Sequence, residues 1–378
     1  MFARQNHGRA VAGILTSIRR RHWAARPWGP LLLAAAAVLT GAVALPQPAL
    51  GAVAAPGVTF TKLTLLHGWG TYAFGSARPA VADISGVVYF RGAISASSGS
   101  TNNVAFVLPP GFRPSKYVSV PVDMCNATMG ELNIAPSGVT QVISAGANSD
   151  ATCFTSLDGV SFALSAKSFT ALKLQSGWKE FGSLYRKAAV RLIGGIVHFE
   201  GEIRTAGTKP AAFTLPAGLR PSRNVNVLIN VCTGSIGRLH ITAKGVVTVR
   251  SEEGVWAVQC GTSLDGATFA LSPKSFTALK LKTGWINAPA GTAKAAVRSI
   301  SGIVRFTGAI RASGTSASPF ILPKGFRPAK DVYIPVDLCN GGNGRLDIQP
   351  DGTVAVQAES SFAEAQCLTS LDGASFAR

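Results

Sequence analysis

Threefold internal repetition is the feature that most limits how this chain can fold. LPPGFRP begins at Leu108 and returns as LPAGLRP at Leu215 and as LPKGFRP at Leu322, each time 107 residues later. TSLDG recurs with the same spacing at Thr155, Thr262 and Thr369. A period of 107 is too long for a solenoid repeat, and each copy is large enough to be a domain. We therefore divide the chain into repeat 1 (55–166), repeat 2 (167–273) and repeat 3 (274–378).

Within each copy the residue pattern is that of β-strands. In the third copy Val332, Ile334, Val336 and Leu338 alternate with residues of the opposite face. Only 14% of the residues are charged and 41 are glycine, which favours strands with many turns over a helical bundle. No helix is expected after residue 54. The fold prediction is all-β, with three tandem antiparallel β-sandwich domains of jelly-roll-like form.

Each copy contains two cysteines at a fixed separation of 28 residues. The pairs are Cys125/Cys153, Cys232/Cys260 and Cys339/Cys367. Because each unit contains two cysteines, we predict one disulfide in each unit. A metal site is disfavoured because there is no Cys-x-x-Cys spacing and no recurring His to complete a tetrahedral set. No metal and no cofactor is predicted.

The first 54 residues have the pattern of an export signal. Arg19, Arg20 and Arg21 precede an uncharged stretch at 31–45, and Ala52-Val53-Ala54 offers a small-x-small cleavage site. About fifteen apolar residues fall short of the ~20 that a spanning helix needs. The expectation is a cleaved signal peptide at 1–54, a secreted or cell-wall-associated protein, and no integral membrane span after cleavage.

The net charge lies in the later two repeats. Of the total of +18, six arginines fall in residues 1–54, which leaves +12 from residue 55 onward, and repeat 1 is neutral. A basic surface favours anionic partners such as a cell-envelope polymer. Solubility alone is the competing interpretation. No Lys/Arg run with interleaved aromatic residues indicates a nucleic-acid module, so no nucleic-acid partner is predicted.

A catalytic constellation is not apparent in the sequence. The histidines after residue 54 are His67, His198 and His240, at positions that are not equivalent between copies. There is no Gly-x-Ser-x-Gly, no His-Glu-x-x-His and no phosphate-cradling loop. The Asp of each TSLDG is interpreted as part of an Asp-Gly turn, with a calcium or catalytic carboxylate as the alternative. Asp123, Asn230 and Asp337 are expected to be solvated.

Candidate ligand-binding residues are those that differ between copies, because a shared residue serves the fold and divergent loops contact ligands. The candidates are Tyr72, Trp178, Tyr185, Arg186, Lys187 and Trp256. Trp256, in a segment taken as a loop, has no Trp counterpart in the other copies. Trp178 recurs as Trp69 and Trp285, which indicates core packing, with a sugar-stacking platform as the alternative.

The repeats resemble a β-sandwich domain of bacteriophage tail-fibre proteins that also occurs in exported actinobacterial proteins. The resemblance rests on LPxGxRP, the Gly-Val-Val-x-Phe-x-Gly strand and Ser-Leu-Asp-Gly, and it covers nearly all of residues 58–378. It implies a receptor-binding tip that commonly trimerises. Tyr185–Lys187 retains a Tyr-Arg-Lys of that family, whereas repeats 1 and 3 do not. The signal peptide and the cysteine pairs depart from the family and favour a host-encoded secreted protein.

The leading hypothesis is therefore a secreted, non-enzymatic protein that binds cell-envelope glycan or another surface partner. Packing of the three copies around a pseudo-threefold axis is a further expectation. One alternative is a structural cell-surface or matrix protein without a specific ligand. The other is an exported hydrolase that would use a residue such as His240 or Glu253.

Overall fold

The computed structural model describes residues 58–97, 100–289 and 291–378, and within them antiparallel strands dominate. The proposed signal peptide at 1–54 lies outside the described residues. Repeat 1 contains β1 (Thr61–Lys62), β2 (Trp69–Thr71), β3 (Ala80–Ile84), β4 (Val87–Arg91), β5 (Ala93–Ala96), β6 (Val104–Val107), β7 (Val118–Asp123), β8 (Met129–Ile134), β9 (Val139–Ser144), β10 (Thr155–Ser156) and β11 (Ser161–Ala163).

Repeats 2 and 3 follow nearly the same strand order. Repeat 2 contains β12 (Thr170–Ala171), β13 (Trp178–Glu180), β14 (Ala189–Ile193), β15 (Ile196–Glu200), β16 (Glu202–Thr205), β17 (Ala211–Thr214), β18 (Val225–Val231), β19 (Ser235–Ile241), β20 (Val246–Arg250), β21 (Thr262–Ser263) and β22 (Thr268–Ala270). Repeat 3 contains β23 (Thr277–Ala278), β24 (Trp285–Asn287), β25 (Ala296–Ile300), β26 (Ile303–Thr307), β27 (Ala309–Ala312), β28 (Val332–Asp337), β29 (Asn343–Ile348), β30 (Val354–Ala358), β31 (Thr369–Ser370) and β32 (Ser375–Ala377).

The all-β prediction is confirmed, and the sheets repeat from copy to copy. Repeat 1 forms the sheets β1-β3-β4-β11, β10-β5-β2 and β6-β9-β8-β7. In repeat 2 the last two merge into one seven-stranded sheet. The hairpin register is identical, since Val118 pairs with Ile134 in repeat 1 and Val332 pairs with Ile348 in repeat 3. Each repeat buries a hydrophobic core of its own, in which Phe90, Phe199 and Phe306 take equivalent places.

The three predicted disulfides are present, with Cα–Cα distances of 5.8, 5.3 and 5.6 Å. The expectation of no helix is wrong. One six-residue α-helix ends at the second cysteine of each pair: α1 (Asn148–Cys153), α2 (Val255–Cys260) and α3 (Phe362–Cys367). These helices are shorter than two turns, so they lack the apolar periodicity by which a helix is recognised in a sequence. No helix among the described residues is long and apolar enough to cross a membrane.

The three repeats contact one another in a closed cyclic order. A serine hydroxyl of each repeat donates to a backbone carbonyl of another, and both donors and acceptors are equivalent positions. The bonds are Ser156 Oγ to Tyr333 O (2.7 Å), Ser263 Oγ to Ser119 O (2.6 Å) and Ser370 Oγ to Asn226 O (2.6 Å). Repeat 1 thus donates to repeat 3, repeat 3 to repeat 2, and repeat 2 to repeat 1.

Three parallel bridges between repeats follow the same order and define three contact surfaces. Seam 1/2 contains the bridge Tyr117↔Tyr185, seam 2/3 contains Asn224↔Thr292, and seam 1/3 contains Ser76↔Asp331. Strands β7, β18 and β28 contact one another pairwise at the centre. They surround a cavity of only about 40 Å³, which Val120, Val227 and Ile334 help to line. Seam 1/3 joins the first repeat to the last, so the ring is closed within one chain.

Glycine at the centre permits this close packing. Gly266 has φ +77°, and a Cβ added there would lie 2.8 Å from the carbonyl oxygen of Ser161 and 2.9 Å from a methyl carbon of Val120, both in repeat 1. Gly159 and Gly373 occupy the same position in the other repeats, with φ of +84° and +83°. The Gly of TSLDG is therefore required by the contact between repeats as well as by its own turn.

Gly266→Ala is expected to lower the free energy of unfolding by about 1–3 kcal/mol, because it combines left-handed strain with a clash across seam 1/2. Gly218→Ala is the control, since a Cβ there meets no atom within 4 Å. Its expected effect is within about 0.5 kcal/mol. Urea unfolding of both variants measures the difference, and equal stabilities would contradict the proposed role of the central glycines.

Candidate binding grooves between the repeats

The recurring aspartates accept hydrogen bonds from the backbone of their own repeats. Asp158, Asp265 and Asp372 stand in the predicted turns but are buried, and each accepts a backbone N–H from the glycine at the end of a neighbouring strand. Burial raises the pKa of each to about 7, although these N–H donors oppose the rise. The described residues contain no group of three or more His, Cys, Asp or Glu that could hold a metal ion.

The expectation that Asp123, Asn230 and Asp337 are solvated is wrong, because all three are buried between repeats. Arg345 of repeat 3 pairs with Asp123 of repeat 1 at 3.1 Å. Arg238 of repeat 2 pairs with Asp337 of repeat 3 at 2.8 Å. The alternation of the strand correctly placed these residues opposite the core of their own repeat. It could not show that a second repeat covers that face.

Seam 1/2 replaces this ion pair with a neutral donor and an acid. Glu131 occupies the position of Arg238 and Arg345, and Asn230 occupies the position of the two aspartates. The amide of Asn230 donates to the Glu131 carboxylate. Both members of the pair differ from their equivalents in the other two seams. As a result, no seam places two carboxylates against each other, or an arginine against an amide. Seam 1/2 is therefore chemically distinct from the other two seams, although the backbones are equivalent.

Two grooves open along the seams and contain most of the predicted ligand-binding residues. The 1/2 groove, of about 690 Å³, is lined by Tyr185, Arg186, Lys187 and Lys116, among others. The 1/3 groove, of about 520 Å³, is lined by Tyr72, Arg78, Arg91 and Lys330, among others. The structure thus brings Tyr185, Arg186 and Lys187 together and places Tyr72 in the corresponding groove of another seam.

Arg186 lines the 1/2 groove, and its guanidinium also bonds within the protein. Its guanidinium is buried, pairs with Glu200 at 2.9 Å, and donates to the carbonyl oxygens of Ala163 and Leu164. These bonds join repeat 2 to the end of repeat 1. Lys187 is exposed beside it. Burial raises the pKa of Tyr185 to about 12, and the charges of Glu202 and Glu131 contribute to that rise.

The two predicted tryptophans lie elsewhere. Trp178 is only 4% exposed and donates its indole N–H to the carbonyl of Lys209, as Trp69 and Trp285 do to equivalent loops. Its edge lines a separate cavity of about 290 Å³. Trp256 is 57% exposed, but it lies in helix α2 rather than in a loop and does not line either groove.

Sequence reasoning missed the cations of the 1/3 groove. Arg91 ends strand β4, where repeats 2 and 3 have Glu200 and Thr307. Its guanidinium lies 4.2 Å from the ring of Phe60. Arg78 and Lys330 are exposed at the rim. A position-by-position comparison of the three strands would have shown this Arg/Glu/Thr divergence, but the comparison of loops did not cover it.

The histidines also occupy structural positions. His198 is buried, and burial lowers its pKa to about 3, with Arg305 and Arg191 as further causes. The Nδ1 atom of His240 lies 2.8 Å from the amide oxygen of Asn226 on the neighbouring strand. Glu253 accepts a hydrogen bond from Ser235. Neither His240 nor Glu253 lines either groove.

No family model, no curated protein and no solved structure matches this chain.

The Glu131–Asn230 pair in seam 1/2 predicts that two destabilising substitutions restore stability when they are combined. Asn230→Asp places a second carboxylate against buried Glu131, and Glu131→Arg places a buried guanidinium against the neutral amide of Asn230. Each is expected to cost about 3 kcal/mol of unfolding free energy. The double variant recreates the ion pair of the other seams and is expected to recover most of the loss. Chemical denaturation of the four proteins measures this coupling, and additive losses would refute it.

Glu202 predicts a dependence of stability on pH. It lies near Glu131 and Asp265, and burial first, then these charges, raise its pKa from 4.5 to about 8. The folded protein therefore holds a proton that the unfolded chain releases above pH 4.5, so stability falls as the pH rises from 5 to 8. Glu202→Gln is expected to reduce that fall in thermal unfolding. Glu359→Gln, on the surface, is the control, and equal pH profiles for wild type and Glu202→Gln would contradict the assignment.

Proposed function

We propose that this protein is a secreted, non-enzymatic binding protein that recognises cell-envelope glycan through the grooves between its repeats. The carrying observation is that aromatic and cationic side chains line grooves of about 520 and 690 Å³ on a frame that is constant from seam to seam. Pockets that join aromatic surface to a few placed polar groups suit sugars, which stack and form hydrogen bonds.

Several features support an extracellular setting in this proposal. Three disulfides are typical of proteins that fold in oxidising compartments. The export pattern at 1–54 agrees with that setting. Each repeat is proposed to be a β-sandwich domain of the tail-fibre-like type, and the closed cyclic contacts support a single chain that takes the place of a homotrimer. The residues at equivalent positions can then differ, which identical subunits do not allow.

Binding to purified cell walls and to a glycan array at moderate salt tests this proposal. Wild type is expected to be retained, and Phe74→Ser is expected to weaken retention, because Phe74 is 73% exposed and contacts Tyr72 of the 1/3 groove at 5.2 Å between ring centroids. Ile286→Ser removes another exposed apolar side chain, one that does not line either groove, and serves as control.

Absence of retention for wild type would overturn the proposal. If deletion of the protein from its host then weakened the cell surface, the alternative of a structural envelope protein would be favoured. Equal losses for Phe74→Ser and Ile286→Ser would instead show that retention does not depend on the grooves.

A further inference from the structure

The 1/3 groove differs from its counterpart in the number of unpaired positive charges. It is lined by Arg78, Arg91, Lys330 and Arg378. Across residues 58–97, 100–289 and 291–378 the ion pairs are Arg186–Glu200, Arg238–Asp337 and Arg345–Asp123, and none of them involves these four cations. The 1/2 groove has two such cations, Lys187 and Lys116, because its third one, Arg186, is paired with Glu200.

The floor of the 1/3 groove holds polar atoms that have no partner in the protein. Asp158 is buried and its Oδ1 accepts the N–H of Gly92, while its Oδ2 is unpaired, as is Oδ2 of the equivalent Asp265 and Asp372. The Nε of Arg91 and the hydroxyl of Ser76 are also buried and unpaired, and all three residues line this groove. Buried polar groups are rarely left without partners, and the other repeats have no Arg or Ser at the positions of Arg91 and Ser76, so these two unpaired groups in one cavity point to a polar ligand.

Tyr72 connects the same groove to a row of aromatic side chains. Tyr72 lines it and contacts both Phe74 and Phe154, whose ring in turn meets Tyr333 of repeat 3 at 5.1 Å between centroids. Phe74 remains 73% exposed at the end of this row. A bare inorganic anion does not use such a surface, whereas a sugar ring stacks on it.

We infer that the 1/3 groove binds an acidic sugar, whose carboxylate or phosphate lies between Arg78 and Lys330 and whose hydroxyl groups bond to Asp158, Ser76 and Arg91. This inference rests on the proposed function and narrows it to one groove and one class of ligand. Arginine and lysine donate charge-assisted bonds to an anionic oxygen, and the carboxylate of Asp158 accepts from sugar hydroxyls. The exposed ring of Phe74 covers a face of the sugar.

Calorimetric titration with trigalacturonate, galactose 6-phosphate and neutral galactotriose tests the inference. At least one of the two anionic ligands is expected to bind, and which one does so distinguishes a carboxylate from a phosphate. Arg78→Ala/Lys330→Ala is expected to weaken that binding about tenfold or more, while galactotriose binds more weakly than either. Both residues are exposed, so the variant is expected to fold, as thermal unfolding will show.

The matched control is Lys187→Ala/Lys116→Ala, which removes two charges from the equivalent positions of the 1/2 groove. This control is expected to leave the affinity for the anionic sugar within about twofold of wild type. The two double variants have the same net charge and differ only in the seam from which the charges are removed. Phe74→Ser is expected to weaken binding of the sugar, although it leaves the net charge of the protein unchanged.

Equal losses in the two double variants would overturn the inference, because they would indicate attraction to the basic surface as a whole. Equal affinity for inorganic phosphate or for a short single-stranded DNA would also overturn it. If galactotriose or another neutral glycan binds and Arg78→Ala/Lys330→Ala leaves it unchanged, the inference fails and the proposed function survives. If wild type binds no envelope glycan, both fail.

Discussion

The cyclic contact between repeats is the constraint on which the rest of the structure depends. Each repeat buries a serine hydroxyl and an Asp-Gly turn against a central strand of a neighbour, and the partners belong to that neighbour. A buried hydroxyl without an acceptor costs free energy, so a repeat taken alone would leave these groups unsatisfied. The closing contact from Ser156 to Tyr333 brings the first and last repeats together, although 177 residues of sequence separate them.

Covalent linkage lets the three seams differ. Seams 1/3 and 2/3 hold Arg–Asp pairs, whereas seam 1/2 holds Glu131 and Asn230. Charge pairing differs in the same way, because Glu200 forms an ion pair with Arg186 in the 1/2 groove, whereas Arg91 of the 1/3 groove belongs to none of the ion pairs among the described residues. A fixed frame with different charges in each seam is a basis for specificity, since one groove can select an anion that another does not.

Local sequence patterns predicted most of the fold. The alternation of apolar residues predicted the strands, and the even cysteine spacing predicted the disulfides. The three short helices were missed because six residues show no helical period. The burial of Asp123 and Asp337 could not be predicted, because a polar residue opposite its own core looks solvated until a second repeat is known to cover it.

The candidate site was predicted in part, for a related reason. Tyr72, Tyr185 and Lys187 do line grooves, but Arg186 is committed to an ion pair and Trp178 to the core. Arg91 and Lys330 come from different repeats and meet only in the folded ring, so no local motif contains both of them. Such groove residues come from distant segments of the sequence. They can be identified only once the arrangement of the repeats is known.

Small-angle X-ray scattering of the chain from residue 55 onward tests the closed ring most directly. A compact particle of this length has a radius of gyration of about 20 Å. The account predicts that value with a single-peaked distance distribution, at concentrations where the chain is monomeric. An elongated particle, with a distribution that extends over three separate bodies in a row, would contradict it.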